Sequence, residues 1–344
     1  MPEQKKKVWF NKTFSSVHSA LLLIRRGGVG EEYRLVCSSS NPHAIGFLAA
    51  HESATEPSGL TGPEYIDWCL DFCREQQIDI FVPGKEASLI SSRVGAFEVI
   101  GTRVMCAGEP GSIDLIHNKA SFYQATQTSN VPAPEFTVFD SLKSFDKAYD
   151  SMRAKHTVLC MKPSVSVYGI GFRKIVENRS AFGLMMDGDA YRIDLRSLRE
   201  MLEREDQTRP MLLMPYLDGH EFSVDCVASN GALVCAVARR KSRKAGGGQE
   251  IVVRDDINTA CVDLISQFDL NGNINIQFRE GNQGLRILEI NPRMSGGITM
   301  ACLAGPNLPY IALAVFDRGL GKVDVPPTHD GLRVGEVTTA VLLP

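Results

Sequence analysis

The chain has 344 residues and a mass of 37.8 kDa, which is more than one core usually serves, so two or three domains are expected. Its net charge of -3 and pI near 6.2 leave no basic footprint for nucleic acid or an anionic membrane. No apolar run is long enough to span a bilayer, and the three lysines of "MPEQKKKVWF" are followed by no apolar signal core. The nine cysteines are scattered through apolar stretches, with no Cys/His pairing of zinc spacing. Reduced, buried thiols and a cytoplasmic location are the expectation.

The first third reads as alternating strands and helices. "KVWF" is a strand, "SSVHSALLLIRRGG" a helix and "YRLVCSS" a second strand. "PEYIDWCLDFCREQQ" is a helix opened by Pro63, with Ile66, Cys69, Leu70 and Cys73 on one face. "IDIFVPG" is a strand, "EASLISSRVGAFEV" one helix and "RVMCAG" a strand. This order predicts a parallel, doubly wound sheet. No G-x-G-x-x-G follows the first strand, so a dinucleotide site is not supported.

Beyond about residue 115 the pattern becomes α+β. "TVLCMKPS" is a strand, "SLREMLERE" a charged surface helix and "MLLMPYL" a buried strand. "EFSVDCVASNGALVCAVARRK" is a hairpin turning at Asn230–Gly231. "NINIQF" and "LRILEINPR" form another pair, and "KSRKAGGGQE" is the nearest thing to a flexible segment.

Chemistry gathers on "LEINPRMSGG". Glu289, Asn291 and Arg293 alternate, so an extended chain presents them on one face and turns Leu288 and Ile290 to the other. If the two strands pair, Gln277 comes opposite this edge. Two amide oxygens and a carboxylate are hard donors suited to Mg²⁺ that also touches phosphates, and the Arg293 fork suits a phosphate oxygen. The alternative is a surface ion pair at a sheet end followed by an Asn–Pro turn. Upstream, Lys162 ends a strand ahead of a loop holding Gly169 and Gly171, a plausible phosphate cradle without a Walker motif. The alternative for Lys162, and for Lys119 at the start of a helix in "HNKASFYQAT", is an ordinary solvated lysine.

Taken in order, Lys119, Lys162 with its glycine loop, "LLMPYLDGHEFSVD" and "IQF…LEINPRMSGG" resemble the ATP-grasp superfamily over roughly residues 80–305. The likeness is greatest to members akin to the carbamoyl-phosphate synthetase large chain and to amide- and peptide-forming carboxylate–amine ligases. The pattern also resembles a subgroup associated with tellurium-resistance operons. The resemblance implies an α/β chain in three parts. Residues 1–113 would be a Rossmann-like pre-ATP-grasp domain, 114–212 a small lobe with the glycine loop, and 213–344 a large lobe with the metal edge.

The resemblance also implies roles. Lys119 and Lys162 would contact the ATP phosphates, and Gly169 and Gly171 would lie in the loop closing over them. Met214, Tyr216 and Leu217 would form the hinge that reads adenine, with Leu217 supplying its N–H, and Glu221 would accept the ribose hydroxyls. Gln277, Glu289 and Asn291 would hold Mg²⁺ or Mn²⁺, and Arg293 would face the transferred phosphate. Met214 stands where many members have Glu, and Gln277 where many have Asp or Glu, as also happens in the carbamoyl-phosphate branch. Arg240, in the basic run "ARRKSRK", is the candidate for meeting the acyl phosphate, against a solvated loop as the alternative. Ser15 and His18 could line the pocket or serve as helix start and packing.

The implied reaction is ATP-dependent joining of a carboxylate to an amine through an acyl phosphate, with ADP and phosphate released and the 164–171 loop as lid. Bicarbonate or carbamate phosphorylation, or an inactive nucleotide-binding protein, are the alternatives. The expected partners are small-molecule acid and amine substrates, without nucleic acid or membrane, and a homodimer is allowed.

Overall fold

The structure is a computed structural model that describes residues 5–11, 16–28, 31–166, 169–243 and 246–343. Its contacts divide the chain into two compact units. The first takes residues 1–114, 220–277 and 290–344, and the second takes 115–219 and 278–289. The amino-terminal domain and most of the last third cluster together.

In chain order the first unit begins with β1 (Lys6–Asn11), α1 (Val17–Gly27), β2 (Tyr33–Ser39), a 3₁₀ turn (Ile45–Leu48) and β3 (Glu52–Thr55). It continues with α2 (Gly62–Gln76), β4 (Ile80–Pro83), α3 (Ala87–Ser91), α4 (Val94–Val99) and β5 (Arg103–Val104). All four strand pairings are parallel, in the order β3-β2-β1-β4-β5, as the doubly wound expectation required. Two details differ. β3 was not anticipated, since "ESAT" has no apolar run to announce a strand. The single helix expected over 86–99 is two, α3 and α4, interrupted at Ser92–Arg93.

Burial explains this sheet. Trp9 is wholly buried and stacks on Phe81 with ring centroids 4.1 Å apart. Its indole N–H donates to Ser38 Oγ at 2.8 Å, so the ring buries no unmet polar atom. Ser38 donates in turn to Glu56, which also accepts from the Tyr65 hydroxyl. Asn11 closes the network at the strand ends: its amide donates to Tyr65 Oη, and its carbonyl accepts from Gly84 N–H at 2.6 Å.

α5 (Pro110–His117) begins at the boundary between units, and the second unit then holds α6 (Lys119–Ala125), β6 (Thr137–Phe139), α7 (Leu142–Arg153), β7 (Leu159–Pro163) and β8 (Arg173–Val176). α8 (Ala181–Met186), β9 (Arg192–Asp194), α9 (Leu195–Glu203) and β10 (Met211–Pro215) follow. Its sheet runs β6-β10-β7-β8-β9 and is antiparallel except where β8 meets β9. α7 and α9 supply Phe145, Tyr149, Leu198 and Leu202 to a core with Leu213 and Met161 of the sheet.

The chain then returns to the first unit with β11 (Glu221–Ser229), β12 (Ala232–Lys241), β13 (Gln249–Val252) and α10 (Asp255–Gln267). β14 (Gly272–Gly281) and β15 (Gly284–Asn291) come next, and the chain changes unit within each of them. α11 (Ile298–Cys302), α12 (Leu308–Arg318) and β16 (Arg333–Val334) complete it. The strand order is β15-β14-β11-β12-β13-β16. Asn230 and Gly231 turn the β11–β12 hairpin with φ of 47° and 74°, the left-handed pair that a two-residue loop needs. Leu313 of α12 shares one core with Val8, Phe10 and Leu21, which is why the first and last parts of the chain form one unit.

All nine cysteines are free thiols, and burial pushes those of Cys37, Cys73 and Cys160 up to about 12. Among the described residues no helix is long and apolar enough to cross a membrane.

Candidate functional site

The second unit brings the two candidate lysines together with Glu289. Asn118 caps α6, accepting from the N–H groups of Ala120 and Ser121, and its carbonyl also accepts the Ser164 hydroxyl at 2.6 Å. Lys119 N–H donates to Ser164 O at 2.8 Å. The start of α6 is thus fastened to the chain just beyond β7, next to Lys162. Lys119 is 7% exposed; its ammonium donates to Ser166 O at 3.0 Å and lies 3.6 Å from a Glu289 oxygen. The solvated alternative for Lys119 is excluded. Burial lowers its pKa and the nearby Lys162 adds to this, against the opposing pull of Glu289.

Lys162 donates to the Tyr123 hydroxyl at 2.7 Å and to Leu288 O at 3.3 Å, so it too is engaged. Tyr123 donates to the same Leu288 carbonyl at 3.0 Å, and burial raises its phenol well above the ordinary range. Tyr123 was missed from sequence, although it stands one helical turn from Lys119 and so shares its face. Gly169 and Gly171, beyond β7, have φ of 69° and 82°.

The candidate hinge follows β10. Met214 is buried within that strand, and Tyr216 N–H donates to Val158 O at 2.9 Å. The Tyr216 ring carries the Lys174 ammonium 4.3 Å and the Arg279 guanidinium 5.2 Å from its centroid. Leu217 and Tyr216 line one groove with Val158, Lys174 and the 281–283 turn.

In the first unit, alternation along β11, β12 and β14 builds a polar stripe. Asp225 and Arg239 form an ion pair at 2.8 Å with both side chains 2% exposed. Arg239 also donates to Ser223, Ser295 and Gln249. A buried pair survives only when its remaining hydrogen-bonding capacity is met, and here it is. Asn275 continues the stripe: its amide N–H₂ donates to Ser223 Oγ, Val224 O and Asp225 Oδ1 at 2.9 to 3.2 Å. Its carbonyl oxygen is thereby fixed as an acceptor, and it accepts from Gln277 at 3.3 Å and Asn291 at 3.5 Å. Both amides must therefore turn N–H toward Asn275, which leaves their oxygens to other partners. Asn291 Oδ1 accepts from Arg293 at 3.1 Å, and Arg293 also donates to Met294 O.

Amide oxygens set this way are hard donors of the kind Mg²⁺ takes. Among the described residues no cluster of three or more His, Cys, Asp or Glu stands together, so a metal held by this stripe would rest on its amide oxygens. That donor set fits Mg²⁺ better than zinc.

Two expectations are corrected or complicated. Arg240 lies between Arg239 and Lys241 on β12, so it points to the opposite face of the sheet from the Gln277 stripe. There it pairs with Glu250 at 2.6 Å. Arg239 takes the place on the Gln277 face. Glu221, proposed for ribose hydroxyls, pairs with Lys241. Of the other two readings, Ser15 lies outside the described residues, and His18 is half-buried on α1.

Asn273, Asn275 and Gln277 alternate with Ile274 and Ile276, a signal that could have found Asn275 in the sequence. The Asp225–Arg239 pair had no such signal, because it depends on the β11–β12 register.

Residues 207–340 match the family described as ATP-grasp in the biosynthetic pathway with Ter operon. The chain is 23% identical over 327 residues to the carbamoyl phosphate synthase arginine-specific large chain of Geobacillus stearothermophilus, covering 91% of this chain and 28% of that protein. It is 29% identical over 133 residues to the carbamoyl phosphate synthase large chain of Lachnoclostridium phytofermentans, covering 35% of this chain and 12% of the relative. The chain thus spans under a third of the length of these relatives. Among solved structures, the ADP complex of N5-carboxyaminoimidazole ribonucleotide synthetase superposes with a TM-score of 0.64 at 10% identity, over 94% of this chain and 79% of that one. The L-amino acid ligase of Bacillus licheniformis gives 0.63 at 13% identity, over 91% and 74%. The biotin carboxylase domain of the Hydrogenobacter thermophilus 2-oxoglutarate carboxylase, solved with MgADP and bicarbonate, gives 0.63 at 14% identity, over 92% and 70%. The fold is that of ATP-grasp enzymes, a parallel βα domain leading into an ATP-grasp domain, and the resemblance drawn from the motifs holds.

Proposed function

We propose that the protein is an ADP-forming ligase that activates a carboxylic acid as an acyl phosphate and passes it to an amine. The observation that carries this is the engaged trio of Lys119, Lys162 and Glu289, two ammonium groups and a carboxylate in one partly buried place. Such a cluster suits a polyphosphate and its metal better than it suits stability, since burying a charge costs more than a surface pair returns. In this reading Lys119 and Lys162 hold the ATP phosphates, Gly169 and Gly171 lie over them, and Met214, Tyr216 and Leu217 receive adenine. Glu221 meets the ribose once Lys241 releases or shares it. Gln277, Glu289 and Asn291 hold Mg²⁺, which when bound neutralises phosphate charge.

A carboxylate oxygen attacks the γ-phosphorus, the bond to the β-phosphate oxygen breaks and ADP departs. Arg293, steadied by Asn291, stabilises the charge on the moving phosphoryl group. The amine nitrogen then attacks the acyl carbon, phosphate leaves, and the nitrogen gives up a proton. Positioning and charge carry such chemistry, so no Ser–His or Cys–His unit is needed. The substrates are small molecules. The bicarbonate reading draws on the carbamoyl phosphate synthase likeness across 91% of the chain.

The test is acid-dependent ADP release with hydroxylamine replacing the amine. A hydroxamate of the acid is expected. Formation of AMP and pyrophosphate instead would overturn the proposal.

A further inference from the structure

The most deeply buried charges on the Gln277 face are those of Asp225 and Arg239, both 2% exposed. Stability alone does not account for them, because well-packed apolar groups in place of a buried ion pair are often neutral or stabilising. The neighbours of the pair show what it holds. Asp225 Oδ1 accepts from the Asn275 amide at 3.1 Å, and Oδ2 accepts from Arg239 Nε at 3.1 Å and Nη2 at 2.8 Å. Asn275 in turn accepts from Gln277 and Asn291, the amides of the proposed metal face. Arg239 reaches elsewhere: Nη2 also donates to Ser295 Oγ at 3.0 Å, in the loop that follows Arg293. All of these residues belong to the first unit.

The loop lies close against the guanidinium. A Cβ placed on Gly297 would stand 2.5 Å from Arg239 Nη1 and 2.9 Å from its Cζ. The φ of Gly297 is -98°, which residues with side chains also adopt, so the close approach and not the backbone demands glycine there. The guanidinium cannot swing aside, because Ser223 of β11 and Gln249 of β13 hold it as well. Ser295 is itself buried. Arg293 depends on this loop for its direction, since it donates to Met294 O at 3.0 Å.

We infer that Arg239 is a positioning residue for the proposed phosphoryl transfer: fixed by Asp225, it clamps the 294–297 loop and so holds Arg293 in line with the moving phosphoryl group. The inference rests on the ligase reading for the reaction, whereas the clamp itself is read without turnover. Arginine suits the task, because its donors lie in one rigid plane and grip several acceptors at once. Asp225 offsets the charge of Arg239, so the clamp adds no free cation beside the proposed metal face. Such placement matters to rate: a misplacement of about 1 Å costs on the order of 10²-fold.

Arg239→Met would strand Asp225 as a buried, unpaired charge and endanger folding, so the test uses milder variants of the full chain. Ser295→Ala cuts the link between clamp and loop and leaves the ion pair intact. Gly297→Ala pushes the loop off the guanidinium. In both, hydrogen exchange over residues 293–298 is expected to quicken about tenfold, with exchange elsewhere and Tm as in the wild type. Affinity for ADP with Mg²⁺ is expected to stay the same. Aluminium fluoride, a mimic of the phosphoryl group in flight, is expected to tighten ADP binding in the wild type and to do so about tenfold less in the variants. In acid-dependent ADP release, kcat is expected to fall about tenfold while KM for ATP holds. Unchanged exchange in both variants would overturn the clamp. Faster exchange with the aluminium fluoride response intact, or no such response in the wild type, would overturn the positioning role. AMP in place of ADP from the wild type, with faster exchange in Ser295→Ala, would refute the ligase reading and keep the clamp.

Discussion

At the scale of single residues, the proposed metal-binding face depends on groups that are not themselves proposed ligands. Asn275 is the clearest. Its three donated hydrogen bonds leave one acceptor, and that acceptor orients Gln277 and Asn291 together. Substituting Asn275→Leu keeps the volume but lets both amides rotate. Mn²⁺ affinity, read by paramagnetic resonance, is expected to fall by about 10- to 100-fold, as for other residues that orient metal ligands. Asn275→Asp, which still offers an acceptor, should retain more affinity than the Leu variant. Equal Mn²⁺ binding in wild type and Asn275→Leu would mean the amides orient themselves. The candidate residues could be picked out because alternation is local: Glu289, Asn291 and Arg293 announce a shared face in any extended chain. Arg240 was misread because one step along β12 changes the face, and only the register with β11 shows that Arg239 faces Asp225. Lys119 could not be told from a surface lysine, because its burial depends on Ser164 and Ser166, more than forty residues away.

At the scale of elements, the turns carry much of the information. The Asn230–Gly231 hairpin and the Pro63 helix start stand where the sequence put them. β3 and the break between α3 and α4 were not legible, since a four-residue strand with no apolar run and a two-residue interruption leave no periodicity to read. The glycine loop offers a graded test. Gly169 and Gly171 both have positive φ, but a Cβ on Gly169 meets nothing within 4 Å among the described residues, whereas one on Gly171 comes within 2.6 Å of the Pro163 ring. Alanine at either position bears the left-handed penalty of about 1–2 kcal/mol. Gly171→Ala adds a contact the rigid pyrrolidine cannot yield to, so denaturant unfolding should show it as the less stable of the two. Equal stability would mean that this loop is not held in the described conformation.

At the scale of the molecule, each of the two compact units is built from separate stretches of chain. Residues 1–114 share a core with 290–344, with Leu313 among Val8, Phe10 and Leu21. No local pattern reports such a distant pairing, so the order of elements can be read locally while this shared core cannot. The cysteines test the packing as a whole. Burial raises seven of the nine thiols above their ordinary value, Cys226 is raised first by its hydrogen bond with Cys261 and then by burial, and a protonated, enclosed thiol is slow to react. Native protein at pH 8 is therefore expected to react with a thiol reagent only slowly, and all nine thiols to react at once in denaturant. Rapid labelling of several thiols in the native state would contradict the described cores.

The central claim is that a carboxylate, and not water or a nucleotide α-phosphate, receives and carries the phosphoryl group. The direct measurement uses the acid that turns over, labelled with ¹⁸O in its carboxylate, with ATP, Mg²⁺ and the amine. One ¹⁸O per turnover is expected in the released inorganic phosphate, because the attacking carboxylate oxygen becomes the bridge of the acyl phosphate and leaves with phosphorus. Phosphate free of ¹⁸O, or label appearing in AMP, would contradict it.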